Sequence, residues 1–295
     1  VFRYNTLRFA IIIEHIDRKK DMKALILHAS GTNRDLDAQY ALQMAGMESD
    51  VVHINKLKSK EKKWQDYALL VIPGGFSYGD SLGAGLILAL ELMHYFFDEL
   101  NEFLYRKKPI IGICNGFQVL VRAGLLPSLD GALNGLEKDS YKNRTSTLTK
   151  NKNGKFECRD VILKVLDSKC IWTKGIKEPI ICPVAHGEGR FFSSSKQTID
   201  KLVLNKEIVL KYARPNADKN ACDSILVADG AYPYNPNGSI LDIAGLCDST
   251  GLILGLMPHT ENNIARYAFF SKERERATLA NLAIWKNGVY YAKNS

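Results

Sequence analysis

Apolar residues fall in two arrangements along this chain. Short unbroken runs alternate with longer segments in which they recur every three or four positions, as expected of strands buried on both faces with helices packed over them. Lys23 to His28 is the first such run. Asn33-Arg34-Asp35 then opens a helix that places Leu36, Tyr40 and Met44 on one face and stops at Ala45-Gly46. Asp50 to Ile54 reads as the second strand, the lysine-rich stretch 56 to 66 as surface helix or loop, and Ala68 to Pro73 as the third strand. From Gly85 to about Arg106 the positions Leu86, Leu90, Met93, Phe97, Leu100 and Leu104 form one stripe, predicting a single long helix. Ile110, Ile111 and Ile113 make another β-branched run, and Phe117 to Ala123 keeps an apolar helical face. This alternation predicts an α/β fold: an open, mostly parallel sheet with flanking helices.

After Pro127 the texture changes. Residues 130 to 155 are rich in Asn, Lys, Ser, Thr and Gly and are expected to form a long mobile loop, disordered above all from Asn143 to Asn153. Strands resume at Phe156 to Leu166, Pro179 to Val184 and Ile208 to Ala213. Ile243 to Leu246 and Leu252 to Leu256 read as a hairpin, and a helical region from Ala265 to about Trp285 closes the domain. Residues 1–20 are expected to be an extension of unknown role, and 21–295 one domain.

Composition narrows the class. With 295 residues, 46% apolar and 24% charged, the chain is large enough for one sizeable α/β core. Its six cysteines form no Cys-x-x-Cys pair and no zinc-type spacing with histidine, so reduced thiols and no metal are expected. No apolar run approaches the roughly 20 residues of a membrane span, and a cytoplasmic location is expected. The net charge is +8, but the lysines and arginines are scattered and have no aromatic platform among them, so nucleic acid is not an expected partner.

The chemistry concentrates at Gly112-Ile113-Cys114-Asn115-Gly116. A buried strand here delivers a cysteine onto a glycine-flanked turn that enters a helix. The glycines relieve crowding at a strained backbone, and the positive end of the helix favours a thiolate and offers unpaired N–H groups to an oxyanion. The bland alternative is a small cysteine packed at a tight turn. Two segments supply His-x-Glu: His186-Gly187-Glu188 among glycines, and His259-Thr260-Glu261 directly after the apolar run ending in Met257-Pro258. On an extended segment residues two apart share a side, so a glutamate there can orient an imidazole whose other nitrogen faces a thiol. A glycine-rich loop, Pro73-Gly74-Gly75-Phe76-Ser77-Tyr78-Gly79-Asp80, follows the third strand.

These motifs resemble the class I (triad) glutamine amidotransferases and, within them, the glutaminase components of phosphoribosylformylglycinamidine synthase. The resemblance rests on Pro-Gly-Gly-Phe-Ser-Tyr-Gly-Asp (73–80), Gly-Ile-Cys-Asn-Gly-Phe-Gln (112–118), Ala-His-Gly-Glu-Gly-Arg-Phe (185–191), Asn-Pro-Asn-Gly-Ser (235–239) and Met-Pro-His-Thr-Glu (257–261). It covers roughly residues 23 to 285 and implies a flavodoxin-like sheet. It also implies a triad of Cys114, His259 and Glu261, with backbone N–H groups of Gly75 and Asn115 as the oxyanion hole. Thr260 stands where the family usually carries proline. Gln118, Phe156, Arg159 and His186 correspond to residues near the glutamine pocket.

The resemblance further implies L-glutamine as substrate, a large synthase subunit as partner and a small bridging subunit beside it. ATP and Mg²⁺ are expected on the synthase, since this chain has no Gly-x-x-x-x-Gly-Lys-Ser/Thr loop and no cofactor of its own is expected. The other readings are a different class I amidotransferase, a cysteine hydrolase or peptidase of related fold, and a degenerate regulatory subunit. The intact cysteine, histidine and glutamate weigh against the last.

Overall fold

The computed structural model describes residues 22–128, 144–218, 224–264 and 272–295. The expected extension 1–20, Cys222 and the start of the expected C-terminal helix lie outside them. Strands β1 (Lys23–His28), β2 (Glu48–His53), β3 (Tyr67–Ile72) and β4 (Ile110–Ile113) fall close to the expected runs. The chain continues through β5 (Ser146–Thr149), β6 (Glu157–Val165), β7 (Ile180–His186), β8 (Arg190–Ser193), β9 (Ile208–Pro215), β10 (Ile225–Val227), β11 (Ile243–Cys247) and β12 (Ile253–Leu256).

The main sheet runs β2-β1-β3-β4-β12-β11-β9-β6-β7, with β10 paired to β9, and β5 pairs with β8 separately. It is an open α/β sheet. The half from β2 to β12 is parallel, and the strands beyond β12 are antiparallel. The inner strands of the parallel half are covered on both faces: Ala24 to Leu27, Leu69 to Ile72 and Ile110, Ile111 and Ile113 are all buried. The carboxyl ends of β3, β4 and β12 lie side by side, and there the glycine-rich loop, the cysteine turn and the His-x-Glu segment leave the sheet.

Helices α1 (Asp35–Met44), α2 (Ile54–Lys58), α3 (Leu86–Tyr95), α4 (Phe97–Tyr105), α5 (Asn115–Arg122), α6 (Lys196–Leu204) and α7 (Lys272–Asn294) flank the sheet. Three expectations need correction. On α1 the residues Leu36, Tyr40 and Met44 are exposed, and Ala38, Ala41 and Leu42 face the sheet. Small residues on the buried face let the helix lie close, a signal that a search for large apolar residues passes over.

The expected single helix from Gly85 is two helices that break at Phe96, whose φ of −128° is not helical. Phe96 is itself buried against Trp64, whereas Leu90, assigned to the buried stripe, is exposed. The third correction concerns the stretch from Asn143 to Asn153. From Arg144 onward it is ordered, contains β5, and buries Asn151 to 3% exposure. Its polar residues are consumed by structure: the Asn151 side chain donates to the carbonyls of Lys155 and His186 and accepts from the Gly189 N–H. Residues 130–143 of the same expected loop lie outside the described residues.

Candidate active site

Cys114 caps the first turn of α5 with φ 51° and ψ −105°, a backbone conformation that a non-glycine residue rarely adopts. Its N–H donates to the Leu256 carbonyl, which ties the turn to β12. Both flanking glycines have a steric reason. A Cβ on Gly116 would lie 1.8 Å from the Ile72 carbonyl oxygen, and one on Gly112 would lie 2.5 Å from Leu120 Cδ1 and 2.6 Å from the Gly116 carbonyl oxygen. The elbow therefore depends on backbone packed directly on backbone. The Cys114 thiol faces the Ala185 carbonyl at 3.7 Å and is almost fully buried.

His259 and Glu261 are buried beside it, joined by a hydrogen bond of 2.6 Å between His259 Nδ1 and Glu261 Oε1. The two side chains meet across the start of a short 3-10 turn, Thr260–Asn262, and not along a strand as the spacing argument assumed. Thr260, in the position where proline is usual, is fully buried. Burial opposes a charged imidazole, but the Glu261 carboxylate and the Cys114 sulfur outweigh it and push the His259 pKa up to about 10. With Nδ1 committed to Glu261, Nε2 is the nitrogen left for the sulfur. Gly74 makes room for the ring, since a Cβ there would lie 2.7 Å from His259 Cε1.

The second His-x-Glu is arranged differently. Glu188 accepts the Ala84 N–H at 3.3 Å and faces Asp80, not His186. His186 is buried, and burial together with the nearby His259 charge pushes its pKa down to about 4, so its ring is neutral. A Cβ on Gly189 would lie 2.4 Å from that ring, which explains one glycine of the Ala-His-Gly-Glu-Gly turn. Asn237 Nδ2 donates to the Gly189 carbonyl at 2.8 Å, and Ser239 Oγ accepts the Phe191 N–H at 3.0 Å. The Asn-Pro-Asn-Gly-Ser segment thus braces the turn from behind.

Gly75 has φ +135° and pairs with Thr32 as an isolated antiparallel bridge. Hydrogen bonds alternate along such a pair, so the bond from the Phe76 N–H to the Gly31 carbonyl leaves the Gly75 N–H directed away from this partner. The Asn115 N–H belongs to the first turn of α5, where backbone donors have no partner within the helix. Gln118 is buried: its Nε2 donates to the Glu188 carbonyl at 2.7 Å, and its Oε1 accepts from Asn115 Nδ2 at 3.0 Å. Phe156 is exposed beside the turn, stacked on Phe76 with centroids 6.5 Å apart and 3.8 Å from the place a Gly187 Cβ would take. Arg159 is paired with Glu157 and Tyr232, and no contact connects it to Cys114.

Ser77, Asp80 and Ala185 were legible only as members of the motifs, and Glu188, read as the acid of a second His-x-Glu, faces Asp80 and not His186. Among the described residues no group of histidine, cysteine, aspartate and glutamate is arranged to hold a metal ion, and no helix is long and apolar enough to cross a membrane.

Residues 21–292 match a family described as the CobB/CobQ-like glutamine amidotransferase domain. The phosphoribosylformylglycinamidine synthase subunit PurQ of Treponema denticola is 55% identical over 271 residues, covering 91% of this chain and 98% of that protein. The same-named subunit of Methanococcus maripaludis is 42% identical over 286 residues, covering 91% and 97%. A solved structure described as PurLQS from Thermotoga maritima contains a chain 29% identical, with a TM-score of 0.61 over 89% of this chain and 98% of that one. The cysteine elbow, the buried His–Glu pair and these likenesses over nearly the whole chain lead to one conclusion: this chain belongs to the CobB/CobQ-like glutamine amidotransferase family.

Proposed function

We propose that this chain is the glutaminase subunit of a cytoplasmic phosphoribosylformylglycinamidine synthase, releasing ammonia from L-glutamine for a large synthase subunit, with a small bridging subunit in the complex. One observation carries the reading: a cysteine held on a strained strand-to-helix turn beside a buried, hydrogen-bonded His259–Glu261 pair, in a chain 55% identical to a subunit of that name.

Each group has a defined task. His259, positively charged at neutral pH, stabilises the Cys114 thiolate. The sulfur attacks the side-chain amide carbon of glutamine, and the carbonyl electron pair moves onto oxygen. The Gly75 and Asn115 N–H groups receive that oxyanion. As the tetrahedral adduct collapses, the C–N bond breaks, His259 Nε2 gives its proton to the leaving nitrogen, and ammonia departs from a thioester. Water then attacks the thioester carbon, loses a proton to His259, and releases glutamate with the thiolate restored. Glu261 fixes the ring orientation and favours its charged form. Gln118, at the far end of the first helical turn, and the 185–188 turn line the space for the rest of the substrate. ATP and Mg²⁺ act on the synthase, where ammonia replaces a carbonyl oxygen of formylglycinamide ribonucleotide.

The test is reconstitution. The chain is mixed with a synthase subunit, ATP, Mg²⁺ and formylglycinamide ribonucleotide, and amidine formation is followed with glutamine as the only nitrogen source. Amidine that appears only when both proteins are present supports the reading. Glutamine turnover that no synthase stimulates and that yields no amidine contradicts it.

A further inference from the structure

The Asn115 side chain sits at the centre of a buried hydrogen-bond hub whose purpose the mechanism leaves open. Its Oδ1 accepts from Ser77 Oγ at 2.6 Å and from the Ser77 N–H at 3.4 Å. Its Nδ2 donates to Asp80 Oδ1 at 3.2 Å and to Gln118 Oε1 at 3.0 Å. Asn115 and Ser77 are both only 2% exposed, so these bonds are sheltered from competing water. The carboxamide is therefore engaged through both its donor and its acceptor ends, joining the nucleophile helix to the glycine-rich loop.

That loop needs a fastener. Tyr78, Asp80 and Leu82 all have positive φ, as do Gly75, Gly79, Gly83 and Gly85, so local backbone preference does not hold the segment in place. On one side it is laced by backbone bonds to residues 30–34: Phe76 N–H to Gly31, Tyr78 N–H to Ser30 and Arg34 N–H to Gly74. On the side of the nucleophile Ser77 and Asp80 both bond the Asn115 side chain, and the one nearer the oxyanion donors is the Ser77–Asn115 link, two residues past Gly75 and one past Cys114. A shift in that link moves the Gly75 N–H relative to the sulfur.

We infer that Ser77 and Asn115 form a latch that sets the Gly75 amide in the oxyanion hole, making their side chains positioning residues for the transition state and not for ground-state glutamine. This inference rests on the glutaminase reading above. A latch of this kind predicts losses in kcat at nearly constant KM, because the oxyanion exists only in the transition state. It also predicts that the two residues act as one unit.

The experiment measures glutamine hydrolysis by the complex with the synthase for wild type, Ser77→Ala, Ser77→Thr, Asn115→Ala and the Ser77→Ala/Asn115→Ala pair. Cys114 alkylation by iodoacetamide, which needs the thiolate and no oxyanion hole, is followed in parallel. Loss of a complete oxyanion donor costs ~10²–10³-fold in kcat, so a displaced one should cost ~10–100-fold. The expected result is that decrease for Ser77→Ala and Asn115→Ala, with KM within about 3-fold and alkylation within about 2-fold of wild type. Ser77→Thr, which retains the hydroxyl, should recover most of the rate, and the double variant should be no slower than the worse single variant. A Ser77→Ala kcat equal to wild type, a loss confined to KM, or multiplicative losses in the double variant would overturn the latch. Should Asn115→Ala fail to fold, the comparison of Ser77→Ala with Ser77→Thr decides alone. Failure of the glutaminase reading is distinguishable, since wild type itself would then show no turnover that depends on Cys114.

Discussion

Replacing Gly116 by alanine tests how tightly the nucleophile is registered against the sheet. The new methyl carbon would lie 1.8 Å from the Ile72 carbonyl oxygen and 2.7 Å from its carbon. A carbon approaches a carbonyl oxygen no closer than about 3.3 Å in ordinary packing, so the start of α5 must back away from β3 by more than ~1 Å. Neither partner can yield by turning a side chain, because the oxygen belongs to the backbone of a buried strand hydrogen-bonded on both sides. The displaced segment carries Cys114 and the Asn115 N–H, and a misplacement of ~1 Å can cost ~10²-fold in rate. Overpacking of this kind typically costs about 1–3 kcal/mol of stability. The assay pairs thermal unfolding with glutamine hydrolysis at saturating glutamine. The expected outcome is a folded protein with Tm lowered by several degrees and kcat down by ~10²-fold or more. A folded Gly116→Ala variant with kcat within about 3-fold of wild type would refute the argument that the elbow is fixed by direct helix-to-strand contact.

Two further outcomes follow from the charges. His259 has its folded-state pKa at about 10, above the ordinary 6.5, so its pairing contributes stability that is full below pH 6.5 and is lost as pH rises through about 10. The alkaline limb of kcat/KM should fall near pH 10 and move to lower pH in Glu261→Gln; an unmoved limb would show that Glu261 does not support the charged ring. Burial and the facing Glu188 carboxylate push Asp80 up to about 6, against the lowering effect of its hydrogen bond from Asn115. Asp80→Asn should therefore raise Tm at pH 8, where the aspartate is charged and repelled, by a margin that shrinks as pH falls below about 6 and is gone only below the ordinary 3.8. A lower Tm at pH 8 would contradict the repulsion.

The parts of this architecture that were legible in the sequence are those encoded locally. Strands such as Lys23–His28, apolar from Ala24 to Leu27, and Ile110–Ile113 stand out as short apolar stretches in the composition. The cysteine turn and the His259 segment could be read because each motif is contiguous. Helix faces were less legible: α1 buries Ala38, Ala41 and Leu42 and leaves Leu36, Tyr40 and Met44 outside, and the helix after Gly85 breaks where Phe96 turns into the core. The stretch around Asn151 looked like open loop because its asparagines resemble solvated residues until the turn they brace is known. Least legible was the Asn115 hub, since Ser77 and Asp80 stand 38 and 35 positions from it in the numbering and only the fold brings them together.

The most direct test of the central claim compares nitrogen sources in the assembled complex carrying Cys114→Ala. Amidine synthesis is measured with glutamine and, separately, with ammonium chloride. If Cys114 is the nucleophile that releases ammonia, glutamine-dependent synthesis falls by at least ~10³-fold while ammonia-dependent synthesis stays near wild type, because free ammonia bypasses the thioester. Glutamine-dependent turnover close to wild type in this variant would contradict the account and reduce Cys114 to a packing residue at a tight turn.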